Sequence, residues 1–337
     1  MSDKDKNDDG NSRLEAFMLH PLFARNVAIP TPPILDMYAL IKRMIVLREP
    51  AVTFEGPSGA GKSYGTTVLE AMIKADFPRV CVVVHHAHNQ QYASIRAFFK
   101  HFLSTVGHKE QRGETFDLRE RLVRILVDDA RAAGMNLIVL MVDEANAMGM
   151  EDFLFLKDVS NDLSMEGVQL ITFLLGQSPD LGMVLDNLAL EGRLDLLARF
   201  GLRRIPIRQC STAADLRQIF AAIDENEYPA RTGITWTAFF VPEAFKAGFR
   251  LVQQAENCER ALHQILNSPG VKQASFPTRQ LFAAIRIFLL NLASTDCQDF
   301  TIAPDAWRDA IQEAMIKDAA DMANRRPVRE RTKKGKS

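Results

Sequence analysis

Cysteine is scarce. The 337-residue chain has 4 (Cys81, Cys210, Cys258 and Cys297), widely spaced and with no CxxC pair. That excludes a disulfide-dense scaffold and a zinc ribbon, and fits a reducing compartment. Long apolar runs are also missing. The longest clean one, Leu137 to Val142, falls far short of the ~18 residues a membrane span needs. Met1 to Arg13 has no apolar stretch, so no secretory signal is expected. Neither sign of charge is in surplus: 41 Lys and Arg face 42 Asp and Glu, a formal net charge of −1. A uniformly basic coat for nucleic acid is therefore excluded, while a local basic patch is not. No internal repeat is evident. With 47% apolar and 25% charged residues, wholesale disorder and fibrous structure are excluded too. What remains is a soluble, cytoplasmic chain of about two domains.

The N-terminal stretch, residues 1–13, is polar and reads as a disordered tail. A lead-in segment follows over 14–50, with the Pro-punctuated Pro30 to Pro33 and a helical period at Ile34, Tyr38, Ile41, Met44 and Ile45. It is expected to pack beside the main domain. Over 51–208 short apolar runs alternate with amphipathic stretches. Strands are predicted at Ala51–Phe54, Val80–Val84, Leu137–Val142, Val168–Leu175 and Arg204–Ile207, with helices between them, including one around Leu188–Arg199. Buried runs separated by helices indicate a parallel five-stranded sheet with helices on both faces. Over 209–324 the pattern is helical, with Pro242–Gln254, Thr278–Leu292 and Pro304–Met322 among the predicted helices. The alternation at Ile234, Trp236 and Ala238 suggests one short strand or extended loop. The tail, 325–337, holds seven cations (Arg325, Arg326, Arg329, Arg331, Lys333, Lys334, Lys336) against Glu330. It reads either as a solvated tail or as an arm for DNA phosphates or an acidic partner.

Gly56-Pro57-Ser58-Gly59-Ala60-Gly61-Lys62-Ser63 matches GxxxxGK[ST], directly after a predicted strand and opening a predicted helix. Glycines let backbone N–H groups converge on phosphate oxygens, and the helix N-terminus adds partial positive charge. Lys62 reaches the β- and γ-phosphates of ATP in this reading, and Ser63 ligates Mg²⁺. The strand Leu137–Val142 ends in Asp143 and Glu144. Asp143 is placed for the Mg²⁺ shell and Glu144 for the attacking water. Adjacent acids can also cap a helix, but paired with the phosphate loop they point to NTP hydrolysis. At the end of the fourth strand, Gln177, with Ser178 second, is the candidate polar group facing the γ-phosphate. The fourth strand is expected between the first and third.

Arg199, with Arg203 and Arg204 as alternatives, is the candidate finger reaching a neighbouring subunit's site. Arg279, at a helix start marked by Pro277 and Thr278, could reach the nucleotide from the helical region. His85, His86 and His88 with Cys81 resemble a metal site. Strand alternation points His85 and His86 opposite ways, however, and no second ligand pair follows.

These motifs resemble the AAA+ ATPases of the TnsC/TniB type, regulators of transposition. The marks are a His20-Pro21 lead-in, the phosphate loop at Gly56–Ser63, VDEAN at Val142–Asn146, LLGQSPDL at Leu174–Leu181 and ARF at Ala198–Phe200. Bacteriophage Mu B protein and ExeA-type ATPases share this organisation. The resemblance implies an α/β AAA+ P-loop core with a C-terminal helical lid. It further implies ATP- and Mg²⁺-dependent self-assembly into rings or filaments on double-stranded DNA, without sequence preference. Contacts to a transposase and a target-selection protein, and disassembly on hydrolysis, belong to the same implication. Candidate phosphate contacts are Lys100, His101, His108, Lys109 and Arg112. Competing readings are an ExeA-type protein-remodelling ATPase, a helicase loader or replication initiator, and a small-molecule P-loop kinase.

Overall fold

The computed structural model describes residues 15–24, 29–88, 94–110, 112–266, 276–299 and 301–324. Both polar tails expected from the sequence lie outside the described residues. Five parallel strands form one sheet: β1 (Ala51–Gly56), β2 (Cys81–His86), β3 (Leu137–Asp143), β4 (Gln169–Gln177) and β5 (Arg204–Pro206). Their order is β2-β3-β4-β1-β5, so β4 lies between β1 and β3, as expected. Every residue of β3 is buried, as a central parallel strand covered on both faces requires.

Side-chain alternation sorts the sheet into two cores. Val52, Phe54, Val139, Met141, Ile171 and Phe173 pack toward α1 (Pro32–Leu47) and α2 (Lys62–Asp76). Ile138, Leu140, Val142, Leu170 and Leu174 pack on the other face with α3 (Ile95–Thr105), α4 (Thr115–Ala133), α5 (Met150–Met165) and α6 (Asp180–Leu190).

A third core belongs to the helical region. It is built from α7 (Ala213–Glu225), α8 (Trp236–Phe240), α9 (Pro242–Lys246), α10 (Ala255–Leu266), α11 (Thr278–Ala293), α12 (Ala306–Glu313) and α13 (Ile316–Asn324). Trp307 stacks between Phe288 and Phe220, with ring centroids 3.8 and 5.5 Å away. Three expectations for the helical region change here. Trp236 opens a short helix rather than lying in a strand or extended loop, because the Thr235 side chain caps it by accepting from the Ala238 amide; an isolated bridge, Glu227 to Thr235, precedes it. The helix expected over 242–254 stops at Lys246, before the left-handed Gly248 (φ 102°). The helix expected over 304–322 breaks at Met315 (φ 55°).

The lead-in segment divides between cores. Helix α1 packs beside the sheet, but Phe17, Leu22 and Ile29 are buried in the core of the helical lid. His20 anchors this contact. It is fully buried, ringed by Tyr228, Phe239 and Phe240 at 4.8 Å and Trp236 at 5.3 Å. Its Nδ1 accepts from the Leu22 amide at 3.2 Å, while Nε2 has no partner among the described residues.

Burial pulls the His20 imidazole down to about 4. The unfolded chain, with histidine near 6.5, therefore takes up this proton first. Stability is full above about pH 6.5 and drains away between there and about pH 4, by on the order of 3 kcal/mol. His85, pulled down to about 3, adds in the same direction. Urea unfolding at pH 7 and pH 5 should show the loss. His20→Asn keeps an acceptor for the Leu22 amide without the titration, so its stability should be lower at pH 7 but flatter with pH.

Candidate nucleotide-binding site

Strand β1 ends at Gly56, and the chain turns through Pro57–Gly61 before α2 begins at Lys62. Gly59 and Gly61 hold left-handed φ values of 76° and 82°, which a side chain would strain. Such turns aim successive amides at one anion-sized point. Lys62 is 8% exposed, and its Nζ donates to the carbonyls of Gly56 (3.0 Å) and Pro57 (2.9 Å). Burial pulls its ammonium below the usual lysine range, against the attraction of Glu144, Asp143 and Asp180.

Asp143 ends β3 and is buried. Its carbonyl accepts from the Ala87 amide at 2.9 Å, and its Oδ1 accepts from the Glu144 amide at 3.0 Å. His86 Nδ1 stands 3.4 Å from Asp143 Oδ2. Glu144 itself sits at φ 55°, uncommon for a residue with a side chain, and this turn sends it into the cleft.

Gln177 closes β4, and its amide donates to Asn146 Oδ1 at 2.8 Å. Asn146 thereby ties the turn after Glu144 to the end of β4. A Cβ on Gly176 would fall 2.6 Å from Leu181 Cδ2, 2.9 Å from Leu181 Cβ and 3.0 Å from Asn146 Oδ1. Gly176→Ala should therefore cost about 1–3 kcal/mol. It should also slow nucleotide hydrolysis by shifting the Asn146–Gln177 bridge, with nucleotide affinity largely kept. Thermal unfolding, turnover and binding measured on one preparation check this.

The lid completes the cleft. Thr278 Oγ1 donates to the Ala60 carbonyl at 3.3 Å, and the Arg279 amide meets the Gly59 carbonyl at 3.5 Å. The resulting cleft, about 460 Å³, is lined by Ser58, Gly59, Gly61, Lys62, Ser63, Glu144, Gln177 and Arg279 from the predicted set. Thr278, read from the sequence only as a helix-start mark, lines it as well, and so do Tyr64, Phe282 and Arg286, which were not singled out from the sequence. Gly56, Pro57 and Ala60 shape the loop from behind, and Asp143 sits below Glu144. Ser63 and Asp143 offer hard oxygen donors, the kind Mg²⁺ takes.

Residues 47–183 match the family model described as an AAA domain. No curated protein matches the chain. Among solved structures, the Aeropyrum pernix ORC2 protein in ADPNP–ADP complexes is similar, with TM-score 0.55 and 13% identity over 83% of this chain and 66% of that one. The chain has the AAA+ P-loop NTPase fold. Drosophila ORC bound to DNA gives TM-score 0.46 at 12% identity, covering 86% of this chain and 62% of that one. Aeropyrum pernix ORC1 in complex with DNA gives 0.40 at 15%, covering 86% and 82%. The chain thus spans about two thirds or less of the first two structures.

Within this AAA+ fold, the three finger candidates lie away from the chain's own cleft. The helix expected around Leu188–Arg199 is interrupted: α6 ends at Leu190 and a π-helical turn, Leu197–Gly201, carries Arg199. Arg199 Nη1 donates to Asn161 Oδ1 (3.0 Å) and the Lys157 carbonyl (3.3 Å) of α5. Arg203 pairs with Glu49 at 3.3 Å and Arg204 with Asp186 at 2.7 Å. Ser178 Nα donates to the Gly56 carbonyl at 2.9 Å, and the residue is not among the cleft-lining set.

Of the candidate DNA contacts, Lys109 and Arg112 are exposed, and Lys100 and His108 are half-buried. His101 is half-buried as well. Its ring stacks on that of His88 and meets that of His85, both at 4.6 Å, and burial pulls its imidazole below the usual histidine range. His85 and His86 do face opposite ways: His85 is buried against Phe102, and His86 is exposed beside Asp143. No helix among the described residues is long and apolar enough to cross a membrane.

Proposed function

We propose that this protein is an ATP-hydrolysing AAA+ switch that assembles with copies of itself on duplex DNA and regulates transposition. The observation that carries the ATPase part is the convergence of Lys62, Ser63, Glu144, Gln177 and Arg279 on one cleft. Lys62 and the loop amides would hold the phosphates, with Ser63 and Asp143 holding Mg²⁺. The metal supplies charge neutralisation on the phosphate oxygens when bound. Glu144 then takes the proton of the attacking water, and Gln177 orients that water at the end of β4. Arg199, or Arg203 or Arg204, would complete a neighbour's site once released from its contacts within the chain. ATP that binds the assembled state more tightly than the free subunit drives assembly, and hydrolysis reverses it.

The DNA client and the link to a transposase rest on the sequence resemblance and on the exposed cations Lys109 and Arg112. A replication-initiator or loader role is the second reading. It is favoured by the likeness in fold to the Aeropyrum pernix ORC2 protein, a structure of ADPNP–ADP complexes.

The test is ATP turnover with and without duplex DNA at two salt concentrations, with electron-microscope imaging of the same mixtures. Stimulation by DNA that fades with salt, with rings or filaments on the duplex, is the expected result. Turnover indifferent to DNA, with no assembly on it, would move the client to a protein. Stimulation by a transposase rather than a helicase separates the two DNA readings.

A further inference from the structure

Helix α11 carries Arg279, Phe282 and Arg286, and all three line the nucleotide cleft. Spacings of three and four residues place them on one face. Seven residues advance about 10.5 Å along a helix and return to within about 20° of the starting direction. The Arg279 end is fixed at the phosphate loop by the Thr278–Ala60 and Arg279–Gly59 contacts. Arg286 therefore lies two turns away from the phosphates, a span comparable to that from the outer phosphate of a nucleotide to its base.

The cleft holds more than the phosphate loop. Tyr64, immediately after Ser63, and Phe282 bring aromatic rings into the cleft. The Tyr64 hydroxyl is held by the backbone N–H and carbonyl of Ile29. Arg286 Nη1 donates to the Leu22 carbonyl at 3.4 Å, which pins the guanidinium against the lead-in segment. A cleft lined by a planar cation and by aromatic rings suits a flat heterocycle, because guanidinium stacks on π-faces while its edge donates hydrogen bonds.

We propose that Arg286 is the nucleoside-side ligand of the cleft, holding the base and ribose of the nucleotide whose phosphates Arg279 meets. The lid helix then spans its ligand from both ends, and the choice between a nucleotide and a bare polyphosphate falls to Arg286. This rests on the cleft being a nucleotide site.

The experiment titrates ATP, ADP and inorganic tripolyphosphate onto the full chain carrying no change, Arg286→Gln, Arg286→Lys, Arg279→Gln or Lys62→Ala. Arg286→Gln should weaken ATP and ADP by the same factor, about tenfold, and leave tripolyphosphate unchanged. Arg286→Lys should recover part of the loss, and Arg279→Gln should weaken ATP and tripolyphosphate more than ADP. Unaltered tripolyphosphate binding also shows that the loop and lid of the variant remain in place. Unchanged ATP affinity in Arg286→Gln overturns the assignment. So does an equal loss for ATP and tripolyphosphate, which would mark Arg286 as a phosphate contact or a purely structural residue. Unmodified protein that binds neither ATP nor ADP would overturn the nucleotide-site reading itself, whereas ATP binding lost in Lys62→Ala but kept in Arg286→Gln rejects Arg286 alone.

Discussion

Lys62→Ala should weaken ATP binding by about a hundredfold or more, the scale of removing one member of a buried, charge-assisted contact. The side chain is poised for this role. It is buried at the start of α2, its ammonium rests on two loop carbonyls, and three carboxylates surround it. A phosphate at the loop would exchange those neutral carbonyls for charged oxygens, which make shorter and stronger hydrogen bonds. The fold should survive, because alanine is a good helix former and the sheet cores do not include Lys62. Equilibrium binding of a fluorescent ATP analogue, with unfolding followed in parallel, separates the two effects. Near-normal affinity in a folded variant would reject the phosphate-loop assignment.

Glu144→Gln should bind ATP and hydrolyse it about 10²–10⁴-fold more slowly, the range that general-base loss produces. The substitution keeps shape and hydrogen-bonding reach while removing proton affinity. It leaves the left-handed backbone turn at this position untouched. Asp143, which holds the Glu144 amide, remains to support the metal shell. If assembly follows the bound nucleotide, the variant should also persist as rings or filaments after the unmodified protein has disassembled. Single-turnover hydrolysis with light scattering on the same sample reads both. Normal turnover would remove Glu144 from the mechanism.

The sheet was legible because its strands are buried on both faces. Runs such as Leu137–Val142 need no alternation, and their spacing by helical stretches leaves a parallel arrangement. The phosphate loop and the Asp143–Glu144 pair were legible for a different reason: their chemistry is local, fixed by residue type over a few positions. The misread stretches lack such marks. Nothing in the sequence around Met315 announces a left-handed residue, since methionine seldom adopts one. Thr235 was a helix-cap signal, but the alternation of Ile234, Trp236 and Ala238 masked it. Asn146, Tyr64, Phe282 and Arg286 enter the site through tertiary contacts. Only Asn146 left a trace, as the last residue of the VDEAN segment, and its link to β4 was not visible there. The seat of Phe17, Leu22 and Ile29 in the lid could not be read, because an isolated apolar residue does not name its partner.

The burial of that lead-in segment inside the lid sets a timetable for synthesis. Leu22 and Arg286, joined by a hydrogen bond, are 264 residues apart. At 5–20 residues per second, the early segment waits roughly 13–50 s on the ribosome for the helices that will cover it. During that interval the five-stranded core, complete by β5, is free to form first, while Phe17 and Leu22 stay exposed to whatever else is nearby. The final closure is therefore a long-range, entropically expensive step, and a slow phase in refolding should report the His20 cage rather than the sheet.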